Sequence, residues 1–322
     1  MSNKKTKIAI TIGDPNGIGP EIILKIFNSA KSRYNLTVIG PKKVLNFYSQ
    51  LLNFNSIPDE FIIDLPAHKN FTPKPGNVDK VAGRISGDAI ITGIELCMSG
   101  YFDAMVTMPI SKNSLNLGGY KYQGHTEIIQ DYTYSLYTYM IMNHGKINFL
   151  PLTTHIPIKN VPENITKKLL RDIIIHSNNT IVRDFKILKP SIAVLGLNPH
   201  SGDKGVIGKE EINTIIPVIK KLKDEGLNVS GAYPADGFFA YELYKQFDLT
   251  IGMYHDQVLI PFKIISGGKG VNYTGGTKII RTSPAHGTAF DIAGTGMADT
   301  GSTLKAIELA IKISINRKGK NV

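Results

Sequence analysis

The chain has 322 residues, of which 42% are hydrophobic and 20% are charged, a balance typical of soluble globular proteins with a substantial core. The formal net charge is +11, but the lysines are spread along the chain and the only compact basic stretch is residues 316–320, which disfavours nucleic-acid binding and leaves a field that attracts anionic substrates. No run approaches the roughly 18 apolar residues that a membrane-spanning helix needs. The single cysteine, Cys97, excludes an intrachain disulfide, and the first apolar run is too short for a signal peptide, so we expect a cytoplasmic protein.

Short apolar, β-branched segments alternate with helical segments along most of the chain. We predict strands at residues 7–12, 36–39, 104–107, 191–196, 229–232 and 249–252. We predict helices from about residue 20 and at residues 42–52, 86–99, 166–183, 209–225 (interrupted by Pro217) and 302–315. Residues 139–142 and 147–152 flank an Asn-His-Gly-Lys turn, which indicates a β-hairpin. This pattern predicts an α/β fold with a mixed, mainly parallel sheet covered by helices on both faces.

Three of the eight histidines, His155, His200 and His255, share one sequence context. Each follows an apolar, strand-like segment and lies in or beside a turn. Ligands of α/β proteins bind at strand ends, and three imidazoles with open positions are typical of a catalytic divalent-metal site. Their spacings of 45 and 55 residues match no local metal motif. A shared metal, a structural role and a hydrogen bond to substrate therefore all stay open.

A glycine-rich segment at residues 13–21 connects the first predicted strand to the first helix. Its glycines form GxxxGxG, which is neither the GxGxxG dinucleotide fingerprint nor a P-loop, and the second predicted strand does not end in an acidic residue. The turn could donate backbone N–H groups to an anion. A purely structural turn is an equal alternative.

Basic and polar residues accumulate late in the chain. Lys263 and Asn272 flank a Gly-Gly-Lys-Gly run that permits close backbone approach, and Arg281 follows. Arginine suits bidentate binding of carboxylate or phosphate, and lysine acts as a point charge, although each alone is commonly a solvated surface residue. Asp236 lies in a Pro-Ala-Asp-Gly turn, where it is either a turn residue or a candidate acid/base.

Several segments in a fixed order make the chain resemble the 4-hydroxythreonine-4-phosphate dehydrogenase family of pyridoxal phosphate biosynthesis. The segments that carry this resemblance are LNPHSGD, YPADGFF, YHDQVLIPFK and RTSPAHGTAFDIAGTG, and the resemblance runs from Gly13 to Gly296. It implies an isocitrate/isopropylmalate dehydrogenase-like α/β fold with an interdomain cleft. The implied domains are a cofactor-binding domain (residues 1–128 and 272–322) and a substrate, metal and dimerisation domain (residues 129–271). It also implies a homodimer whose active sites take residues from both subunits.

The resemblance assigns roles to individual residues. The implied ligands of one divalent metal (zinc, magnesium or cobalt) per active site are His155, His200 and His255. The implied substrate contacts are His125, Thr126, Lys263, Asn272 and Arg281, and the candidates for the general base are Asp236 and Lys263. The loop implied to lie near the adenosine part of NAD or NADP contains His286, Gly287, Thr288, Ala289 and Asp291. Such a loop would account for the missing dinucleotide fingerprint.

The implied reaction is the oxidation of a small phosphorylated amino acid, 4-phosphohydroxy-L-threonine. Hydride transfer to NAD gives a 3-oxo acid, which loses carbon dioxide to give 3-amino-2-oxopropyl phosphate. The nearest alternative is a metal-dependent relative that oxidises 4-phosphothreonate-type acids. A phosphate acyltransferase of the same fold and a non-catalytic phosphate-binding protein are more distant alternatives, because neither needs three histidines at strand ends.

Overall fold

The computed structural model of the protein describes residues 5–29, 33–67 and 70–319. The chain divides into two compact units, which we call unit 1 (Met1–Thr138 with Thr277–Val322) and unit 2 (Tyr139–Gly276). The boundaries predicted from the sequence fall at 128/129 and 271/272. In the described part of the chain, no helix combines the length and the apolar character needed to cross a membrane.

Strands and helices alternate in both units. The strands are β1 (Lys7–Thr11), β2 (Asn35–Ile39), β3 (Ile62–Ile63), β4 (Ala104–Thr107), β5 (Tyr139–His144), β6 (Ile147–Pro151), β7 (Ile192–Leu195), β8 (Val229–Tyr233), β9 (Leu249–Gly252), β10 (Val271–Gly275) and β11 (Arg281–Pro284). The helices are α1 (Gly19–Ser29), α2 (Lys42–Leu52), α3 (Lys80–Met98), α4 (Lys112–Leu117), α5 (His125–Tyr132), α6 (Val161–Asn164), α7 (Lys167–Phe185), α8 (Ile216–Asp224), α9 (Ala235–Ala240), α10 (His255–Ser266) and α11 (Gly301–Lys318).

Unit 1 contains a parallel sheet with the strand order β3-β2-β1-β4-β11. Strands β1 and β4 lie in the middle, and their side chains are almost entirely buried, as their continuous apolar sequences predict. Helix α3 packs against β1 and β4, and α11 packs against β4 and β11. The core of this unit therefore surrounds the central strands.

Unit 2 contains a mixed sheet with the strand order β10-β5-β6-β9-β7-β8. The pairs β10/β5 and β5/β6 are antiparallel, and β6/β9, β9/β7 and β7/β8 are parallel. The predicted hairpin is confirmed as β5 and β6, whose turn contains Gly145 at φ 62°. The predicted α/β class and the mixed, mainly parallel sheet are confirmed.

Two predicted helices differ from the structure for identifiable reasons. Helix α3 begins at Lys80 rather than at residue 86, because the Asp79 carboxylate caps it by accepting from Val81 N–H at 2.7 Å and Ala82 N–H at 2.9 Å. The helix predicted at 209–225, with an interruption at Pro217, is observed as two consecutive helical segments. A π-helical turn, Glu211–Ile215, precedes α8, and Pro217 lies in the first turn of that helix, where its missing N–H costs little.

Candidate functional site

Three neighbouring parallel strands of unit 2 end next to the three predicted metal ligands. Strand β9 pairs with β6 on one side and with β7 on the other, so all three strands have their carboxyl ends at one edge. His155 follows β6, His200 follows β7, and His255 begins α10 just after β9. The strand order thus brings residues that are far apart in the sequence to one edge of the sheet. Ligands of α/β proteins bind at this edge.

His155 and His255 form a close pair. The chain after β6 is hydrogen-bonded to the end of β9, with Leu152 N–H donating to the Gly252 carbonyl at 2.8 Å. The centroids of the two imidazole rings lie 6.1 Å apart, with their planes tilted by 42°. Both rings line a cavity of about 200 Å³, together with Thr154, Ile156, Ile158, Val161, Tyr254 and Asp256.

The separation of this pair lies within the reach of one divalent ion. Imidazole nitrogens bind zinc at about 2.0–2.1 Å, which places two ring centroids about 5 Å apart at a tetrahedral ion and at most about 6.4 Å apart, so the pair is more open than a tetrahedral site. His255 Nδ1 lies 2.7 Å from Asp256 Oδ1. Since a carboxylate only accepts, Nδ1 is the donor of this hydrogen bond and Nε2 is the nitrogen that remains for a ligand, an arrangement common beside metal-binding histidines.

His200 does not join this pair. Across residues 5–29, 33–67 and 70–319, no three His, Cys, Asp or Glu side chains converge so that they could hold a metal ion. His200 is exposed and begins a run of left-handed backbone that extends to Lys204, with φ between 40° and 77° at all five residues. Left-handed backbone costs roughly 1–2 kcal/mol for each residue other than glycine, so neighbouring groups must stabilise this loop.

A second group of predicted site residues lies in unit 1, where β4 and β11 pair in parallel. Arg281 begins β11 and is only 2% exposed. Its Nε and Nη2 donate to Thr107 Oγ1 at 2.9 and 2.7 Å. His125 and Thr126 are the first two residues of α5, and the His125 ring donates to the Met108 carbonyl. Predicted substrate contacts from two distant segments thus meet in unit 1.

Burial fixes the protonation states of this group. It lowers the pKa of His125 well below its usual value, and the nearby positive charge of Arg281 lowers it further. Burial also lowers the pKa of Arg281 to about 9, against the opposing attraction of Glu127. At neutral pH, therefore, a charged guanidinium lies near a neutral imidazole. The His125 ring N–H donates to the Met108 carbonyl, and His125 Nε2 is a buried acceptor without a partner among the described residues.

Glu127 is a further candidate site residue, which was not recognised from the sequence. Its carboxylate acts on the buried Arg281 guanidinium, and its Oε2 is buried without a hydrogen-bond partner in the described part of the chain. The available signal was the GHTE segment, which places this acidic residue in the first turn of α5. A carboxylate is favoured there by the helix dipole.

The predicted cofactor loop, residues 286–291, packs against the glycine-rich turn of unit 1. Ile18 N–H donates to the Thr288 carbonyl at 3.0 Å. Gly17 permits this approach, because a Cβ at position 17 would lie 3.1 Å from the same carbonyl. His286 Nε2 is buried without a partner among the described residues. The loop is thus a fixed element of unit 1, and its contact with a nicotinamide cofactor stays a prediction.

The glycine-rich turn itself is structural. Asp14 N–H donates to the Pro109 carbonyl, Asn16 N–H donates to Asp14 Oδ1, and Gly17 N–H donates to the Asp14 carbonyl, each at 2.9 Å. These amides are therefore committed within the protein. Of the two interpretations drawn from the sequence, the structural turn is the one that the hydrogen bonds support.

Asp14 gives a testable pH dependence. It is fully buried, and burial raises its pKa from 3.8 to about 6. Between these values the native protein binds more protons than the unfolded chain, so the contribution of Asp14 to stability falls as the pH rises. We expect Asp14→Asn to gain up to about 3 kcal/mol in free energy of unfolding relative to the wild type between pH 4 and pH 7, measured by urea denaturation.

The matched control for this experiment is Asp224→Asn, since Asp224 is exposed on α8. Its difference from the wild type should stay constant over the same pH range. A constant difference for Asp14→Asn as well would contradict protonation of Asp14 in the native state.

Three further predicted residues lie in unit 2 outside the lining of the cavity of His155 and His255. Asp236 is an exposed residue in the first turn of α9, and Lys263 is exposed in the last turn of α10. Asn272 lies in β10, and its Oδ1 is buried without a partner among the described residues. Their assignment as general base or substrate contacts stays a prediction.

Comparison with known proteins gives full-length matches. The family model for "Pyridoxal phosphate biosynthetic protein PdxA" matches residues 32–310. A 4-hydroxythreonine-4-phosphate dehydrogenase from Sulfurihydrogenibium sp. (strain YO3AOP1) is 38% identical and covers 97% of this chain and 99% of its own length. A relative from Bradyrhizobium diazoefficiens, provisionally named a D-threonate 4-phosphate dehydrogenase, is also 38% identical, over 95% of this chain and 96% of its own.

A solved structure is also similar along its whole length. The crystal structure of 4-hydroxythreonine-4-phosphate dehydrogenase from Klebsiella pneumoniae is 33% identical and superimposes with a TM-score of 0.85, covering 98% of this chain and 99% of that one. This likeness confirms that the chain has the α/β fold of that dehydrogenase. The chain therefore belongs to the PdxA family of pyridoxal phosphate biosynthetic proteins.

Proposed function

We propose that this protein oxidises 4-hydroxythreonine 4-phosphate with NAD or NADP and a divalent metal. The product, a 3-oxo acid, would lose carbon dioxide to give 3-amino-2-oxopropyl phosphate for the synthesis of pyridoxine 5′-phosphate. The observation that carries the proposal is the pair of His155 and His255 at the ends of two parallel strands, 6.1 Å apart, in a chain of the PdxA family. The substrate comes from the names of full-length relatives.

The residues proposed to hold the metal are His155 and His255, with His200 as the third ligand. When bound there, a divalent ion would lower the pKa of the substrate alcohol and stabilise negative charge on the reacting oxygen. Neutral imidazoles suit this chemistry, because they leave more positive charge on the ion than carboxylates would. We further propose a homodimer whose active sites take residues from both subunits, so that the third imidazole need not come from the same chain.

The other polar residues would bind and orient the substrate. Arg281 keeps its charge at neutral pH and suits a phosphate or carboxylate group, and Lys263 would supply a second cation. His125 is neutral, so its Nε2 would accept a hydrogen bond from a hydroxyl or ammonium group rather than donate to phosphate. Asn272 and Thr126 are proposed as further contacts.

The remaining proposals concern the general base, the cofactor-binding loop and the cellular location of the protein. Asp236 and Lys263 stay the candidates for the general base. Loop 286–291 is proposed to bind the adenosine part of the cofactor, which supplies the hydride acceptor. One cysteine in 322 residues supports a cytoplasmic location.

A second candidate substrate is D-threonate 4-phosphate. The relative provisionally named for that activity is as similar to this chain as those named for 4-hydroxythreonine 4-phosphate. The two substrates differ in carrying a hydroxyl or an amino group next to the carboxylate. A difference of this kind can depend on one or two contacts in the pocket.

The test is to measure NADH formation with both phosphorylated substrates in parallel. We expect turnover of 4-hydroxythreonine 4-phosphate, its loss after treatment with a chelator, and its recovery on adding zinc, magnesium or cobalt. Turnover of D-threonate 4-phosphate alone would favour the second candidate. Undiminished activity after complete metal removal would contradict the proposed dependence on a divalent metal. The absence of turnover with either substrate would contradict the proposed function.

A further inference from the structure

The loop that carries His200 folds around one buried carboxylate. We call residues 196–208 the ligand loop, and the carboxylate belongs to Glu211 at the start of the π-helical turn. Glu211 Oε1 accepts from the backbone N–H groups of Leu197 and Asn198, both at 2.8 Å, and Oε2 accepts from Asn198 Nδ2 at 2.9 Å. Three donors from the ligand loop thus converge on a single side chain.

Glu211 is completely buried, yet in the described part of the chain no cationic side chain pairs with it. A buried carboxylate is costly unless hydrogen bonds replace its hydration. Bonds to an ionised acceptor are roughly twice as strong as neutral ones. The three N–H donors of the ligand loop supply this stabilisation, so the carboxylate and the loop conformation depend on each other.

The ligand loop approaches this carboxylate on both sides of His200. A Cβ at Gly202 would lie 2.6 Å from Glu211 Oε2, and a Cβ at Gly196 would lie 3.1 Å from Oε1. Gly202 also has φ +77°, a conformation that glycine adopts without strain. The loop therefore has small residues at the positions where it closes over Glu211.

Further hydrogen bonds attach the ligand loop to its surroundings, among them that from Gly196 N–H to the Tyr233 carbonyl at 2.8 Å. Ser201 Oγ donates to the Ala232 carbonyl at 3.0 Å. Gln257 Nε2 donates to the Gly196 carbonyl at 2.7 Å, and Gln257 Oε1 accepts from Met253 N–H at 2.6 Å. Gln257 therefore links the ligand loop to the segment that precedes His255. Glu211 accepts the bonds from the residues just before the left-handed run.

We propose that Glu211 is a positioning residue for metal binding, whose carboxylate holds the ligand loop in the left-handed conformation that presents His200. The proposal rests on the metal of the proposed function. Its physical basis is the cost of the left-handed run, which contains four residues other than glycine. Without the three bonds to Glu211, residues 200–204 relax toward ordinary backbone, and the loop no longer holds the His200 imidazole in one orientation.

Glu211→Gln tests this proposal. The amide oxygen can still accept from the two backbone N–H groups, but the amide NH₂ then faces Asn198 Nδ2, donor against donor. We expect the affinity for Co²⁺, followed by visible absorption during titration, to fall about 10- to 100-fold. In the metal-free protein, we expect faster hydrogen exchange of the amides of residues 196–205.

The matched control is Glu210→Gln. Glu210 also accepts from Asn198 Nδ2, at 2.7 Å, but it is half-buried, so its substitution should change Co²⁺ affinity by less than about threefold. Rescue is expected when Glu211→Gln is combined with Asn198→Asp and Glu210→Gln, because both new amides can then donate to the new carboxylate. A general loss of structure would not be restored by this exchange.

Asn198→Ala provides a second route if Glu211→Gln does not fold. It leaves Glu211 in place, removes one of its donors, and should weaken Co²⁺ binding about tenfold. Wild-type affinity and wild-type amide exchange in these variants would overturn the positioning role while leaving the proposed function intact. A wild-type protein that binds no Co²⁺, Zn²⁺ or Mg²⁺ would overturn the proposed metal and the positioning role together.

Discussion

Replacing His255 by glutamine is expected to weaken divalent-metal binding at least about a hundredfold and to abolish NADH formation at micromolar metal. The substitution removes one imidazole of the pair whose centroids lie 6.1 Å apart, together with its hydrogen bond to Asp256. Glutamine is similar in length and polar, so the first turn of α10 should persist. Competition with a coloured chelator measures the affinity directly, and thermal unfolding of the metal-free protein measures the fold.

The control for this prediction is His144→Gln, at the end of β5 beside the hairpin turn. His144 does not line the cavity of His155 and His255, so metal affinity and turnover should stay within about twofold of the wild type. A His255→Gln protein with wild-type affinity would contradict the assignment of His255 as a ligand. Equal losses in both variants would indicate an effect on the fold.

The fold was largely predictable, because apolar periodicity reports burial directly. Helix α2 and strands β4 and β9 have the predicted bounds. Helix α10 was not predicted, since its sequence contains Pro261 and polar residues at its first turn. Strand β11 was also missed, because it begins with a buried arginine where a pattern of apolar residues is expected. Both misses fall on segments that carry candidate site residues.

The site was less predictable from patterns, for a topological reason. Spacings of 45 and 55 residues say nothing about contact until the order β6-β9-β7 is known, and strand order is not encoded in the spacing of residues. The resemblance to a family supplied that link for His155, His200 and His255. Within one chain the structure brings only the first and last of them together.

Local backbone at the ligand loop was also beyond sequence reasoning. The segment Pro-His-Ser-Gly-Asp-Lys predicts a turn, but not five consecutive left-handed residues. That conformation depends on Glu211, which lies in the helix predicted at 209–225, is completely buried and was not among the candidate site residues. Tertiary hydrogen bonds decided the conformation here, and a local propensity could not reveal them.

Arg281→Lys is expected to lower kcat/KM for the phosphorylated substrate roughly 30- to 1000-fold, equivalent to about 2–4 kcal/mol. The guanidinium is 2% exposed and donates to Thr107 Oγ1 through both Nε and Nη2. A lysine ammonium is a single point charge, so it cannot keep this double contact and present further donors to an anion. Steady-state kinetics measures the loss, and urea denaturation separates it from a change in stability.

The split between KM and kcat decides what Arg281 does. If the guanidinium binds the phosphate or carboxylate equally strongly in the ground state and in the transition state, its loss raises KM and leaves kcat unchanged. A loss in kcat would instead mean that Arg281 aligns the substrate for hydride transfer. Arg84→Lys, at a side chain that is 69% exposed beside Asp88, should leave both constants unchanged. An Arg281→Lys enzyme with wild-type kcat/KM and stability would contradict the assignment of Arg281 as a substrate contact. The buried positive charge beside neutral His125 would then have no role in substrate binding.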